Sequence, residues 1–350
     1  MQVTLKQAFE YIRVLGSTNT FFLQGQPGIG KSAMFKDLAR AFPDYTHSLI
    51  DASQLDLGDV AMPVVDRERM VTNYAPNARF GLSRGSDRPV LIFIDEFSKA
   101  PGPVMNMLWP LIHEKRLGDI QAHPASIIVA NGNLQTDGVG DKIPAQGYNR
   151  MTVLDVANPT SEEWIEWAVE NDVDPAVIKF AYDNPEIFER YDALTNAKNP
   201  YVFNPLTGNV RSYCTPRSLE RASHIVRARV RLGDILPALA GTIGEPAARL
   251  LEASVLLDDR LTPLALIESN PQGADIPKDV GAYFLMAFKL ATKANAQNLT
   301  AFCKYVERWE SFEAIHLFVA TLCAAKSKLP IIATCRAFTE LSAKHSKYVK

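Results

Sequence analysis

The chain is 350 residues long, with 47% aliphatic and aromatic residues, 22% charged residues, a formal net charge of −2 and a pI near 6.3. That length accommodates about two domains with a large buried core. The balanced charge excludes a whole-molecule electrostatic footprint for nucleic acid, and the composition is that of an ordinary soluble globular protein. Four cysteines, Cys214, Cys303, Cys323 and Cys335, are scattered without CxxC spacing. Neither a zinc site nor a disulfide framework is expected, and a reducing cytoplasmic setting fits. The first residues, MQVTLKQAFEYIRVLG, are amphipathic and charged throughout, and no apolar run approaches membrane-spanning length. No export signal and no membrane contact are expected.

In chain order, Leu5, Ala8, Phe9, Ile12 and Leu15 share one helical face, which predicts a helix over Leu5 to Leu15. The run Thr20 to Leu23 reads as a buried parallel strand and passes into a glycine-rich loop, then into a helix-forming run from Ala33 to Phe42. The loop from Gly25 through Pro27, Gly28, Ile29, Gly30, Lys31 and Ser32 to Ala33 is a P-loop in its required strand–loop–helix context. Its glycines let main-chain N–H groups approach phosphate oxygens, and the following helix directs its positive end at them. Lys31 is placed to reach the β and γ phosphates, and Ser32 to hold Mg²⁺.

Tyr45 to Ile50 is a second candidate strand. Asp51 to Ser86 is rich in Gly, Pro, Asp and Arg, and its centre, MPVVDRERMVTNYAP, breaks any long periodicity. A long irregular insert of this kind suits a loop or hairpin that touches a partner. The stretch RPVLIFIDEF, Arg88 to Phe97, is apolar on both faces and ends in Asp95 and Glu96, as a central parallel strand does when it carries acids to a ligand. Asp95 is the candidate Mg²⁺ residue, and Glu96 the candidate base for the attacking water.

Val104 to Ile112 predicts a helix, RLGDIQAHPAS a hairpin, and Ile127 to Ala130 another buried strand ending in NGN. Asn131 and Asn133 are either turn formers, or one of them is a polar sensor of the γ-phosphate. The loop KIPAQGYNR, Lys142 to Arg150, leads into a fifth apolar run, MTVLDV. Strands alternating with helical stretches predict an α/β, three-layer nucleotide-binding domain with a five-stranded, mainly parallel sheet.

From Asn158 onward the pattern turns helical, with Thr160 and Glu163 spaced as a capping box. Domains are expected at 1–158 (α/β), 159–265 (an all-α lid) and 266–350 (a helical C-terminal region). Arg217 falls in the first turn of a helix after Pro216, and Arg221, Arg227, Arg229 and Arg231 follow. That run reads as a solvated basic face, with a nucleic-acid groove as the alternative.

The segments GQPGIGKS, LIFIDEF, VANGN, IPAQGYNR and TPRSLE, in that order, together resemble an AAA+ ATPase, and more narrowly its MoxR-like branch, from about Leu5 to about Pro277. The resemblance implies Walker A at Lys31 and Ser32 and Walker B at Asp95 and Glu96. It further implies a sensor asparagine at Asn133 or Asn131, an arginine finger at Arg150, a sensor arginine at Arg217, and a helix-interrupting insert around Met62 to Pro76. Asn149-Arg150 stands where the branch usually has Asp-Arg, and the chain after Pro277 resembles nothing named. ATP and Mg²⁺, a homo-oligomeric ring of six, and a protein client or a partner with a von Willebrand factor A domain are what the resemblance implies. A motor on DNA or RNA and a nucleotide-gated scaffold with slow turnover are the competing functions.

Overall fold

The computed structural model describes residues 1–85, 87–133, 143–191, 198–204 and 212–345. Lys142, the first residue of the expected finger loop, lies outside them. The chain forms two compact units, Met1–Asn158 and Pro159–Lys350.

The first unit runs β1 (Gln2–Val3), α1 (Leu5–Leu15), β2 (Phe21–Gln24), α2 (Met34–Ala41), β3 (Thr46–Asp51), α3 (Leu57–Val60), β4 (Ala61–Asp66), β5 (Val71–Pro76), β6 (Val90–Asp95), α4 (Gly102–Glu114), β7 (Arg116–Leu117), β8 (Ile120–Gln121), β9 (Ile127–Gly132), α5 (Ala145–Tyr148) and β10 (Thr152–Val156). Its main sheet has the order β1-β10-β2-β9-β6-β3, and every pairing is parallel. The five expected strands are all present. The sixth, β1, is two residues long, too short to show a period. Its helix α1 starts on a capping box between Thr4 and Gln7.

The strands sort their side chains with period two. Leu91 and Phe93 of β6 join Phe21, Leu23, Ile127 and Val129 on one face, against Ala8 and Ile12 of α1 and Met34 and Leu38 of α2. Val90, Ile92 and Ile94 face the other way, with Phe22, Ile128 and Ala130, against Val104, Leu108 and Ile112 of α4. Helices therefore cover both faces, and each fully buried Ile, Leu or Phe there contributes about 1.5–3 kcal/mol. The central strands β6 and β9 are buried along nearly their whole length, whereas edge strand β3 alternates buried and exposed residues.

The insert is more regular than its sequence suggests. β4 and β5 form an antiparallel ribbon with register Ala61↔Pro76 to Asp66↔Val71. Met62, Val64, Val65, Met70, Val71 and Tyr74 are exposed on it. Periodicity was hidden because both faces of the ribbon are exposed, so no polar–apolar alternation is required of it.

The second unit is helical: α6 (Ser161–Glu170), α7 (Pro175–Asp183), α8 (Pro216–Arg227), α9 (Arg229–Leu232), α10 (Leu236–Ile243), α11 (Glu245–Asp258), α12 (Leu264–Ser269), α13 (Val280–Lys293), α14 (Leu299–Val306), α15 (Phe312–Ala324), α16 (Leu329–Thr334) and α17 (Arg336–His345). The Thr160–Glu163 capping box opens α6. One apolar cluster gathers Trp164, Phe180, Leu219, Leu239 and Leu251, and a second gathers Phe302, Tyr305, Phe318 and Leu341. Two of the predicted basic-face arginines are engaged in ion pairs: Arg227 with Asp172 at 3.0 Å, and Arg229 with Asp258 at 3.0 Å and Asp259 at 2.9 Å. Among the described residues no single helix is long and apolar enough to cross a membrane.

Candidate nucleotide site

Parallel register brings the chemistry-bearing residues to one edge of the sheet. β2 leaves at Gln24 into the glycine loop, β6 ends at Asp95, and β9 ends at Gly132, with Asn131 opposite Leu23 and Ala130 opposite Ile94. These are carboxyl ends of neighbouring parallel strands, where open α/β sheets bind ligands. Gly28 and Gly30 take φ of 81° and 111°, which only glycine adopts without strain, so the loop curls back over the start of α2. The Ile29 side chain is buried in the core and anchors the loop, leaving its main chain for contact. Ala33 stands at the cap of α2 with no side-chain hydrogen bond there, so the first N–H groups of the helix are not capped by a side chain.

Lys31 is only 7% exposed, an unusual place for a lysine. Its Nζ donates to the carbonyls of Gly25 and Gln26 at 2.6 and 2.7 Å and lies 3.4 Å from Asn133 Oδ1. The loop is tied down further by Asn158, whose Nδ2 donates to Gln26 Oε1 at 2.7 Å. Ser32 Oγ donates to Asp95 Oδ1 at 2.9 Å. A hydroxyl and a carboxylate side by side next to a phosphate loop are hard oxygen donors of the kind Mg²⁺ takes. Among the described residues no group of three or more His, Cys, Asp and Glu could hold a metal alone. A cation here would complete its shell with phosphate oxygens and water, as Mg²⁺ ordinarily does.

Glu96 is a non-glycine residue in the left-handed region, with φ 52° and ψ 35°. Such a conformation costs about 1–3 kcal/mol and persists where the surroundings enforce it. Here Glu96 N–H donates to Asn131 Oδ1 at 2.8 Å and to Asp95 Oδ1 at 3.1 Å. The side chain is held separately, by Lys99 Nζ at 2.5 Å and by Asn133 Nδ2 at 3.4 Å from Oε2. The two asparagines therefore differ in what they touch. Asn131 grips the main chain of Glu96, while Asn133 lies between the Lys31 ammonium and the Glu96 carboxylate. Lys99 was not singled out from the sequence; its position one helical turn after Glu96 was the available signal.

Arg150 is elsewhere. It is exposed, in the turn before β10, whose first residue, Thr152, pairs with Phe21 at the start of β2. That is the amino edge of the sheet. The P-loop leaves the far end of β2, roughly 10 Å along the strand at about 3.3 Å per residue. The Arg150 guanidinium lies over the Trp109 ring at 5.7 Å from its centroid. Arg217 belongs to the second unit, exposed on the first turn of α8 behind a Thr215 cap.

Residues 20–161 match the family model described as AAA domain, dynein-related subfamily. This stretch is an AAA domain. The match begins at Thr20 and covers the P-loop, Asp95, Glu96, both asparagines and Arg150. No curated protein matches the chain. Two solved structures are similar in outline. One is the RuvB Holliday junction branch migration motor of Thermotoga maritima, at 17% identity over 77% of this chain and 74% of that one, with a TM-score of 0.38. The other is NtrX from Brucella abortus in complex with ADP, at 12% identity over 98% of this chain and 67% of that one, with a TM-score of 0.41. At these scores the likeness carries no weight for function.

Proposed function

We propose that this chain hydrolyses ATP with Mg²⁺ as one subunit of a homo-oligomeric ring of six, and spends the turnover on remodelling a partner protein. The observation that carries the hydrolytic part is Asn133, within 3.4 Å of both Lys31 Nζ and Glu96 Oε2, beside the Ser32–Asp95 hydrogen bond. Phosphate-binding, metal-holding and water-activating groups meet at one strand edge. Phosphoryl transfer asks for positioning and charge stabilisation more than covalent work, so this set suffices.

In this reading Lys31 gives its ammonium to the β and γ phosphate oxygens in place of the Gly25 and Gln26 carbonyls. Mg²⁺, held through Ser32 and Asp95, would neutralise charge on the same phosphates. Glu96 accepts the proton of the attacking water, Asn131 fixes its main chain, and Asn133 orients the water and reads the γ-phosphate. Arg150 lies at the opposite edge of the sheet from its own P-loop, so it serves a neighbouring subunit's ATP. Arg217 acts as the second sensor, as in the MoxR-like ATPases that the motifs resemble. The exposed β4–β5 ribbon is the surface offered to a protein client, and a partner with a von Willebrand factor A domain is the candidate that this resemblance supplies. Four free cysteines suit the reducing cytoplasm in which we place it.

The test is ATP binding and steady-state hydrolysis on purified protein. Lys31→Ala should abolish tight ATP binding. Glu96→Gln should keep binding while kcat falls by about 10² or more, since the amide cannot take the proton. Unchanged affinity in Lys31→Ala, or turnover within a few-fold of wild type in Glu96→Gln, overturns the hydrolytic reading. Hydrolysis stimulated by DNA, with steep loss of binding on adding salt, would replace the protein client with a nucleic acid.

A further inference from the structure

We infer that Trp109 is a positioning residue for Arg150, holding the guanidinium in the posture from which it serves the neighbouring subunit; this rests on the proposed role of Arg150. The arrangement is built from two successive contacts within the first unit. The Arg150 guanidinium sits over the Trp109 ring at 5.7 Å. The ring in turn meets Phe97 edge to face, with centroids 5.3 Å apart at 89°. Phe97 is fully buried and directly follows Glu96. The chain of contact thus runs from the residue after the candidate base to the candidate finger, with the indole between them.

Two further features mark the place as built for that ring. On the side of the finger loop, a Cβ on Gly147 would come within 2.4 Å of Trp109 Cη2 and 2.7 Å of Cζ2, so only glycine lets the loop approach so closely. In α4 itself, Pro110 directly follows Trp109 and supplies no N–H to the helix. Arg150 and Trp109 also line an open cavity of about 400 Å³ with His113, Glu114, Gln146 and Gly147, and the Glu114 carboxylate is paired with Arg116 at 3.1 Å. An arginine with a long flexible stem and a wet surface around it loses little by wandering. An aromatic face restricts it without neutralising its charge, which an acidic partner would do. A finger must keep that charge for the transferring phosphoryl group.

The experiment uses the full chain and four variants: Trp109→Leu, Trp109→Phe, Arg150→Ala and Glu96→Gln, each with its melting curve and nucleotide affinity. Trp109→Leu should lower kcat about tenfold, because misplacing a catalytic group by about 1 Å is worth up to 10²-fold. KM for ATP should stay within about twofold, since the nucleotide groups stand at the other edge of the sheet. Trp109→Phe, which keeps a π face, should recover most of the rate. Mixing sharpens the assignment. Trp109→Leu mixed with Glu96→Gln should regain hydrolysis, because some interfaces then pair an intact Glu96 with a well-held Arg150. Trp109→Leu mixed with Arg150→Ala should not.

If Arg150→Ala is inactive while a folded Trp109→Leu turns over at the wild-type rate, the role of Trp109 is wrong and that of Arg150 stands. If Arg150→Ala itself turns over normally, the reading of Arg150 fails first. Loss of activity in Trp109→Leu that Glu96→Gln does not complement, despite demonstrated subunit exchange, means that the ring serves its own site and overturns the proposal. Should Trp109→Leu fail to fold, the same comparisons made with Trp109→Phe, at a few-fold loss, decide it.

Discussion

Asp258 and Lys31 are both buried charges, held by different kinds of partner. At Asp258, 8% exposed, the carboxylate receives Arg229 Nη2 at 3.0 Å and Lys289 Nζ at 2.7 Å, while Arg229 also reaches Asp259. Cation and anion lie on neighbouring helices of one unit and satisfy each other, which ties α9, α11 and α13 together. At the carboxyl edge of the sheet, Lys31 is equally buried yet donates to main-chain carbonyls and stands beside an amide, and the nearby acid Asp95 is bonded by a hydroxyl. A buried ion pair with its counter-charge in place is architecture. A buried ammonium cradled by glycine-loop carbonyls is, in the proposed reading, where phosphate oxygens would take the place of those carbonyls.

The comparison can be broken from the structural side first. Asp258→Ala leaves Arg229 and Lys289 without their shared carboxylate and should cost about 3 kcal/mol or more in urea unfolding. Turnover per folded molecule should stay unchanged. A variant with unaltered stability would mean that the pair is no stronger than a surface contact. Next in size, Asn133→Ala should lower kcat about 10²-fold, the usual effect of deleting one positioned donor, while the melting temperature barely moves. Strong destabilisation with normal turnover would reverse the distinction drawn here.

The smallest effect concerns Asp174, which caps α7 by accepting the Ala176 N–H at 3.0 Å and is 7% exposed. Burial raises its pKa, outweighing the Ala176 hydrogen bond and the nearby Arg229 and Arg227, with Asp258 adding to the rise. Ionisation in the folded state is therefore unfavourable. The contribution of this group is fully present below the ordinary aspartate pKa of about 3.9 and is lost as pH rises through its raised folded value. Asp174→Asn keeps an acceptor for the cap and removes the charge. It should be slightly more stable than wild type near neutral pH, with the advantage vanishing toward acid pH. Melting curves across that range decide it, and an advantage that grows on acidification would contradict the assigned sign.

What the sequence made legible follows from burial. β6 and β9 are enclosed on both faces, so Val90 to Ile94 and Ile127 to Ala130 had to be continuous apolar runs, and the acids and amides just beyond them stood out. The P-loop was legible because turn geometry restricts residue type at Gly28 and Gly30. The β4–β5 ribbon was not, because strands exposed on both faces impose no alternation. Nor was the distinct engagement of Asn131 and Asn133, which are two residues apart and identical in chemistry. Only the register of β9 against β2 and the turn at Glu96 separate main-chain grip from side-chain reach. The contact of Trp109 with Arg150 joins residues on separate elements, and no local pattern carries such a pair.

The exposed ribbon has a second property. The turn between β7 and β8 brackets one of its residues: Asp119 N–H donates to the Tyr74 carbonyl at 2.9 Å, and Tyr74 N–H donates to the Asp119 carboxylate at 2.5 Å. Gly118, with φ 54°, allows this, since a Cβ there would fall 2.3 Å from the Tyr74 oxygen. Mechanically the ribbon is a cantilever, clamped near its root and free over the residues from Val64 to Asn73, an arm of about 13 Å. Those two hydrogen bonds join it to the β7–β8 turn, and the next strand after that hairpin is β9, which carries Asn131 and leads to Asn133.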